Sequence, residues 1–125
     1  VDRWFLYMDV RCRERVLMER RTNKDIWRGL WELLLVETCG KLSAEEAESV
    51  ASDQLRQKLG LEGVKFHHVS QCVHKLTHRT IHASFVRAEL CDVPAELPEN
   101  TGMFKGSEVK KLPVSRLIDR YLRGL

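Results

Sequence analysis

Five histidines, His67, His68, His74, His78 and His82, fall in one short stretch, and the last three are spaced four apart. On a helix that spacing would align three imidazoles, and Cys72 could join them as a further metal ligand. The intervening residues argue for strands instead. Val, Thr and Ile recur there, and Thr77-His78-Arg79-Thr80 reads as the connection between two strands. On strands the three imidazoles would not converge, and no metal site is assigned. The remaining cysteines, Cys12, Cys39 and Cys91, are far apart, and no C-x-x-C pair occurs. All four are read as reduced and mostly buried. Arg20-Arg21-Thr22-Asn23-Lys24 is a basic loop, either a solvated connection or a phosphate contact. Trp27 and Trp31 are read as core or loop-packing residues.

These residues need a scaffold, and the pattern supplies one. Trp4 to Val10 is a strand that could be buried on both faces, and Arg15 to Arg20 is its hairpin partner. A Trp-bracketed turn, Trp27 to Trp31, enters a third strand, Leu33 to Glu37. Ser43 and Glu46 form an S-x-x-E capping box. Ala47, Val50, Ala51, Leu55 and Leu59 then share one face of a helix, with Gly60 placed to cap it. Val64 to Lys75 and Ile81 to Leu90 are two further strands. Cys91 to Gly102 is loop, and Met103 to Leu112 holds a short extended piece. Pro113 suits the first turn of a last helix, whose apolar stripe is Val114, Leu117, Ile118, Tyr121 and Leu122. The order β-β-β-α-β-β-α predicts an α+β layered domain.

The 125 residues, 43% hydrophobic and 31% charged, are enough for one domain with a real core, taken as residues 1–125. No apolar run approaches the roughly 20 residues of a membrane span. The first residue is not Met, which suggests a piece cut from a longer protein. A net charge of +3 permits nucleic-acid binding without demonstrating it.

The strand–loop–helix–Gly-Leu layout resembles the Nudix fold, which implies a mixed β-sheet packed between α-helices. Laid on the Nudix box G-x5-E-x7-R-E-U-x-E-E-x-G-U and anchored on Gly60-Leu61, the chain keeps Glu45. It has Cys39 for the first Gly, Asp53 for the Arg, and Gln54, Gln57 and Lys58 for the three core carboxylates. Hydrolysis on this fold needs clustered carboxylates to hold divalent metals, and two amides and an ammonium cannot do that. The resemblance therefore implies a domain that binds rather than hydrolyses. The alternative is a free-standing hydrolase of nucleoside diphosphate derivatives that uses displaced carboxylates such as Glu45, Glu46 and Glu48.

A closer resemblance rests on Trp27-Arg28-Gly29-Leu30-Trp31-Glu32, then Val73-His74-Lys75-Leu76-Thr77-His78, then a strand and a Leu-Pro-led terminal helix. In this order they are similar to the C-terminal domain of MutY-type adenine DNA glycosylases, over essentially the whole chain. That family domain lacks the Nudix carboxylates and contacts 8-oxoguanine paired with adenine, while a separate N-terminal domain removes the adenine. Its Phe-Ser-His recognition loop falls on Leu76, Thr77 and His78, with Leu76 replacing the aromatic wedge. The resemblance implies no catalytic residue and no cofactor in this domain. It implies an N-terminal glycosylase domain in cis carrying a 4Fe-4S cluster, double-stranded DNA with 8-oxoguanine:adenine mispairs as partner, and a cytoplasmic, nucleoid-associated setting in a bacterium.

The chemistry of such a loop follows from the base. Guanine presents acceptors at N7 and O6 in the major groove. Oxidation at C8 makes N7 a donor and adds an acceptor at O8. The Thr77 hydroxyl can accept from N7–H, and a neighbouring backbone N–H can donate to O8. Against ordinary guanine that reader leaves a polar group unpaired, at about 1–3 kcal/mol. Leu76 can wedge into the stack. His78 can support the loop or meet a phosphate, and Lys75 and Arg79 supply phosphate contacts.

Overall fold

The computed structural model of the chain describes residues 1–124. Its centre is β1 (Asp2–Cys12), whose apolar run alternates between two cores. Phe5 and Tyr7 point to one, Leu6, Met8 and Val10 to the other. This is what period-2 side-chain geometry does when both faces of a strand are covered. Around it lie β2 (Arg15–Arg20), β3 (Trp31–Glu32), β4 (Leu34–Thr38), β5 (His67–Lys75), β6 (Thr80–Glu89) and β7 (Thr101–Lys105). Among the described residues these form one seven-stranded mixed sheet. Strand β1 runs parallel to β6 and antiparallel to β2 and β4. Among the described residues strand β5 pairs with β6 alone and forms an edge.

Helix α1 (Ala44–Leu59) covers one face. The Ser43 hydroxyl accepts from the Glu46 N–H at 3.1 Å, and the Ser43 N–H donates to the Glu46 carboxylate at 2.9 Å. Gly60 closes the helix at φ +68°, a left-handed conformation that favours glycine. Ala47, Ala51 and Leu55 bury against Leu6, Met8 and Val86. Helix α3 (Arg116–Arg123), which follows a four-residue turn α2 (Gly106–Val109), covers the other face. It places Leu117, Ile118 and Tyr121 against Phe5, Tyr7 and Phe85. The expected mixed sheet between helices is the observed architecture.

Helix α3 is also pinned by charge. Asp9, fully buried, accepts from the Tyr121 hydroxyl at 2.7 Å, from Arg11 Nε at 3.0 Å and from Arg87 Nε at 3.1 Å. Three donors, two of them charged, offset the cost of burying a carboxylate. Tyr121 also stacks on Phe85 at 3.9 Å between ring centroids.

Several boundaries differ from the pattern reading. Strand β5 begins at His67, not Val64, because the Val64 carbonyl accepts from the Ser52 hydroxyl at 3.0 Å and leaves the ladder. Trp31-Glu32 is a short strand of its own against β2. Beyond Lys105 the chain turns into α2, since the Glu108 carboxylate reaches back to the Lys105 N–H at 2.8 Å. Pro113 lies before α3 rather than in its first turn. Ser115 is the N-cap, accepting from the Ile118 N–H at 3.2 Å. The cysteines are all free, but only Cys12 is buried. Cys72 is half-buried, while Cys39 and Cys91 sit exposed in loops, so the expectation of mostly buried thiols fails.

Candidate nucleic-acid interface

Strands β5 and β6 make a hairpin whose tip is Leu76 to Arg79. The Leu76 N–H donates to the Arg79 carbonyl at 2.7 Å and closes the tip. Thr77, His78, Arg79 and the flanking Lys75 are exposed. Leu76 is half-buried and packs against the core under α3. The structure thus brings the five expected residues to one tip, with the Leu76 side chain turned inward.

The three histidines spaced four apart separate. His74 pairs across the hairpin with Ile81 and faces the α3 side, where it meets Trp27 edge-on at 6.0 Å. Burial lowers its pKa, with Arg120 and Arg116 adding to the effect. His82 is on the opposite face, stacked on Trp4 at 4.0 Å with its Nε2 2.8 Å from the Asp2 carboxylate. His78 is at the tip. No three His, Cys, Asp or Glu side chains among the described residues are grouped to hold a metal ion.

A second polar region lies beside the C-terminal half of α1. It is a cleft of about 260 Å³ between Glu19, Arg21, Glu32, Glu37 and Lys58. Arg21 was read as part of a solvated or phosphate-binding loop, but it is buried. It reaches Asp25 at 2.8 Å and Glu32 at 3.3 Å, and its Nε donates to the Ile26 carbonyl at 2.9 Å. Arg3 bridges Glu37 at 2.7 Å and Asp25 at 2.9 Å. Burial pushes the Glu32 carboxyl up to about 7, against the pull of Arg21, and the Tyr7 hydroxyl donates to it at 3.4 Å. Burial also raises Glu19, which accepts from the Leu35 N–H at 3.2 Å. Lys58, at a position where the Nudix box has a carboxylate, lines the cleft and donates to the Leu35 carbonyl at 3.3 Å.

This cleft does not fit a divalent cation. Its carboxylates are held by internal cations and hydrogen bonds, and an ammonium stands among them. The displaced set fares no better. Glu46 caps α1, and both it and Glu45 are exposed on the first helical turn. The Arg21–Glu32–Tyr7 network escaped the sequence reading. Its one visible signal was Glu32 standing between Trp31 and Leu33, an acid inside an apolar run. Trp27 and Trp31 do pack as expected, edge-on to Phe5 at 6.3 Å and to Phe104 at 5.2 Å.

A family model described as the NUDIX domain matches residues 6–124. Among solved structures the chain is similar to the C-terminal domain of mouse MUTYH, known from its complex with human PCNA. The TM-score is 0.79 at 19% identity, covering 97% of this chain and 85% of that one. The NUDIX domain of Shewanella oneidensis NrtR, complexed with ADP ribose, gives 0.72 at 12% identity, covering 98% and 85%. The MutT protein of Methanosarcina mazei gives 0.65 at 13% identity, covering 95% and 88%. At these identities the likeness is one of fold. No curated protein matches the sequence.

Proposed function

The chain belongs to the Nudix domain family, and on that premise we propose that it is a MutY-type lesion-recognition module that binds duplex DNA and does no chemistry itself. The observation that carries this reading is the contrast in charge placement. The residues at the Nudix box carboxylates are Gln54, Gln57 and Lys58, and the nearby acids are tied up internally. At the hairpin tip, by contrast, Lys75, Thr77, His78 and Arg79 stand together exposed. The resemblance to MutY-type domains and the fold likeness to the mouse MUTYH C-terminal domain support the same reading.

In this proposal Thr77 accepts from N7–H of 8-oxoguanine paired with adenine, and His78 supports the loop or meets a phosphate. Lys75 and Arg79 take flanking phosphates. Leu76 acts as a wedge only by withdrawing from its packing under α3. A glycosylase domain in cis, with its 4Fe-4S cluster, would remove the adenine. The test is competition binding by the chain at low salt, between duplexes carrying 8-oxoguanine:adenine and guanine:adenine. A discrimination worth about 1–3 kcal/mol predicts roughly 5- to 150-fold preference for the lesion. Equal affinity for the two duplexes would overturn the proposal.

A further inference from the structure

The hairpin tip is small, and two or three cations there give a weak hold on a polyanion. The surface beside it extends the charge. Arg116 and Arg120 are four residues apart on α3, with Leu117, Ile118 and Tyr121 buried between and beside them. That spacing puts both guanidiniums on one exposed face, about 6 Å apart along the helix axis. Neither has an ion-pair partner among the described residues, whereas Arg123 on the same helix is held by Asp119 at 2.9 Å.

Their neighbours locate this face. Leu117, Ile118 and Tyr121 of α3 belong to the core cluster against which Cys72 and Leu76 pack, and both arginines act electrostatically on His74. His74 and Cys72 are on β5, the edge strand that leads into the recognition tip. Trp27 meets His74 edge-on. The exposed arginines of α3 and the exposed cations of the tip, Lys75 and Arg79, therefore belong to one packed unit, the β5–β6 hairpin and the helix over it. The acidic residues Asp92, Glu96 and Glu99 follow the other end of β6, away from the tip. Asp9 and the Tyr121 stack fix α3 to the sheet, so the helix that carries both arginines is pre-positioned.

We propose that Arg116 and Arg120 form a second phosphate-binding site, which grips the backbone of the duplex whose bases the hairpin tip reads. The proposal rests on the lesion-recognition reading and adds to it a division of labour. The tip supplies specificity, and the α3 edge supplies sequence-independent affinity.

The experiment compares wild type, Arg116→Gln/Arg120→Gln and Thr77→Ala/His78→Ala on lesion and undamaged duplexes across a salt series, with thermal unfolding as the fold control. In the arginine variant, affinity for both duplexes at low salt should fall at least about tenfold with the lesion preference intact. The slope of log affinity against log salt should become shallower by about 2, since each neutralised phosphate contributes about 0.9. Arg116→Lys/Arg120→Lys should restore most of the affinity. In the wild type, duplex binding should shift the His74 imidazole resonances. Unchanged affinity and slope in a folded Gln variant would overturn the α3 site while leaving the tip reading in place. No duplex binding by the wild type at any salt would overturn both.

Discussion

The cleft beside α1 and the tip of the β5–β6 hairpin are both built from charged and polar side chains, and they use them in opposite ways. In the cleft, Arg21 meets Asp25 and Glu32, Arg3 meets Glu37, and Lys58 meets the Leu35 carbonyl. At the tip, Lys75, Thr77, His78 and Arg79 are exposed and their side chains are unspent. The acids of the cleft are paired with internal cations and act there as a brace. The difference teaches where to look for function, because groups that satisfy one another hold a fold and groups left open meet a partner.

The sharpest way to break the contrast is to remove the cation at the heart of the cleft. Arg21→Met should cost about 3–5 kcal/mol, because it leaves Glu32 and Asp25 without their buried partner. Urea unfolding checks this, and the loss should be smaller at pH 5 than at pH 8, since Glu32 can then protonate. A loss below about 1 kcal/mol would mean that the cleft is not a brace.

Next in size is the pH dependence of the brace itself. Burial lifts Glu32 from 4.5 in an unfolded chain to about 7. The native state thus holds this proton more tightly than the unfolded state. Its contribution to stability is full below about 4.5 and is lost as pH rises through about 7. Glu19, also raised by burial, acts in the same sense. His74, lowered by burial and by Arg120 and Arg116, acts in the opposite sense. Glu32→Gln separates these contributions. Relative to wild type, its unfolding free energy should fall less between pH 5 and pH 8, and parallel curves would refute the assignment.

At the tip, changes should barely touch stability. Leu76→Ala is the exception, at about 1–2 kcal/mol, because its half-buried side chain packs under α3. A thermal shift near zero would show that Leu76 is free to act as a wedge without leaving any packing. The smallest expected effect is none at all. Magnesium with 8-oxo-dGTP or dGTP should give no turnover above a denatured control, and any measurable hydrolysis would contradict the proposal of a domain that binds without doing chemistry.

Much of this fold could be read from local signals. The Ser43–Glu46 box and Gly60 mark both ends of α1 because caps are local hydrogen bonds. The Trp4–Val10 run announced a strand buried on both faces. The order of the chain also placed Leu76 to Arg79 at a connection between two strands. What could not be read depends on chain reversal. Arg21 sits in a basic run, and only the fold brings Glu32 and Asp25 around it. Asp9 looked like part of an apolar strand, yet its partners Arg87 and Tyr121 are 78 and 112 residues away. The Arg116–Arg120 edge was invisible for the same reason, since nothing in sequence sets α3 beside β5.

The central claim, that the hairpin tip is the reader, is tested most directly by one ratio. This is the affinity of the chain for an 8-oxoguanine:adenine duplex over its affinity for a guanine:adenine duplex, measured for wild type and for Thr77→Ala/His78→Ala. Both variant positions are exposed, so the fold should survive. The account predicts a clear lesion preference in the wild type and a ratio close to one in the variant. A folded variant that keeps the full wild-type ratio would contradict it.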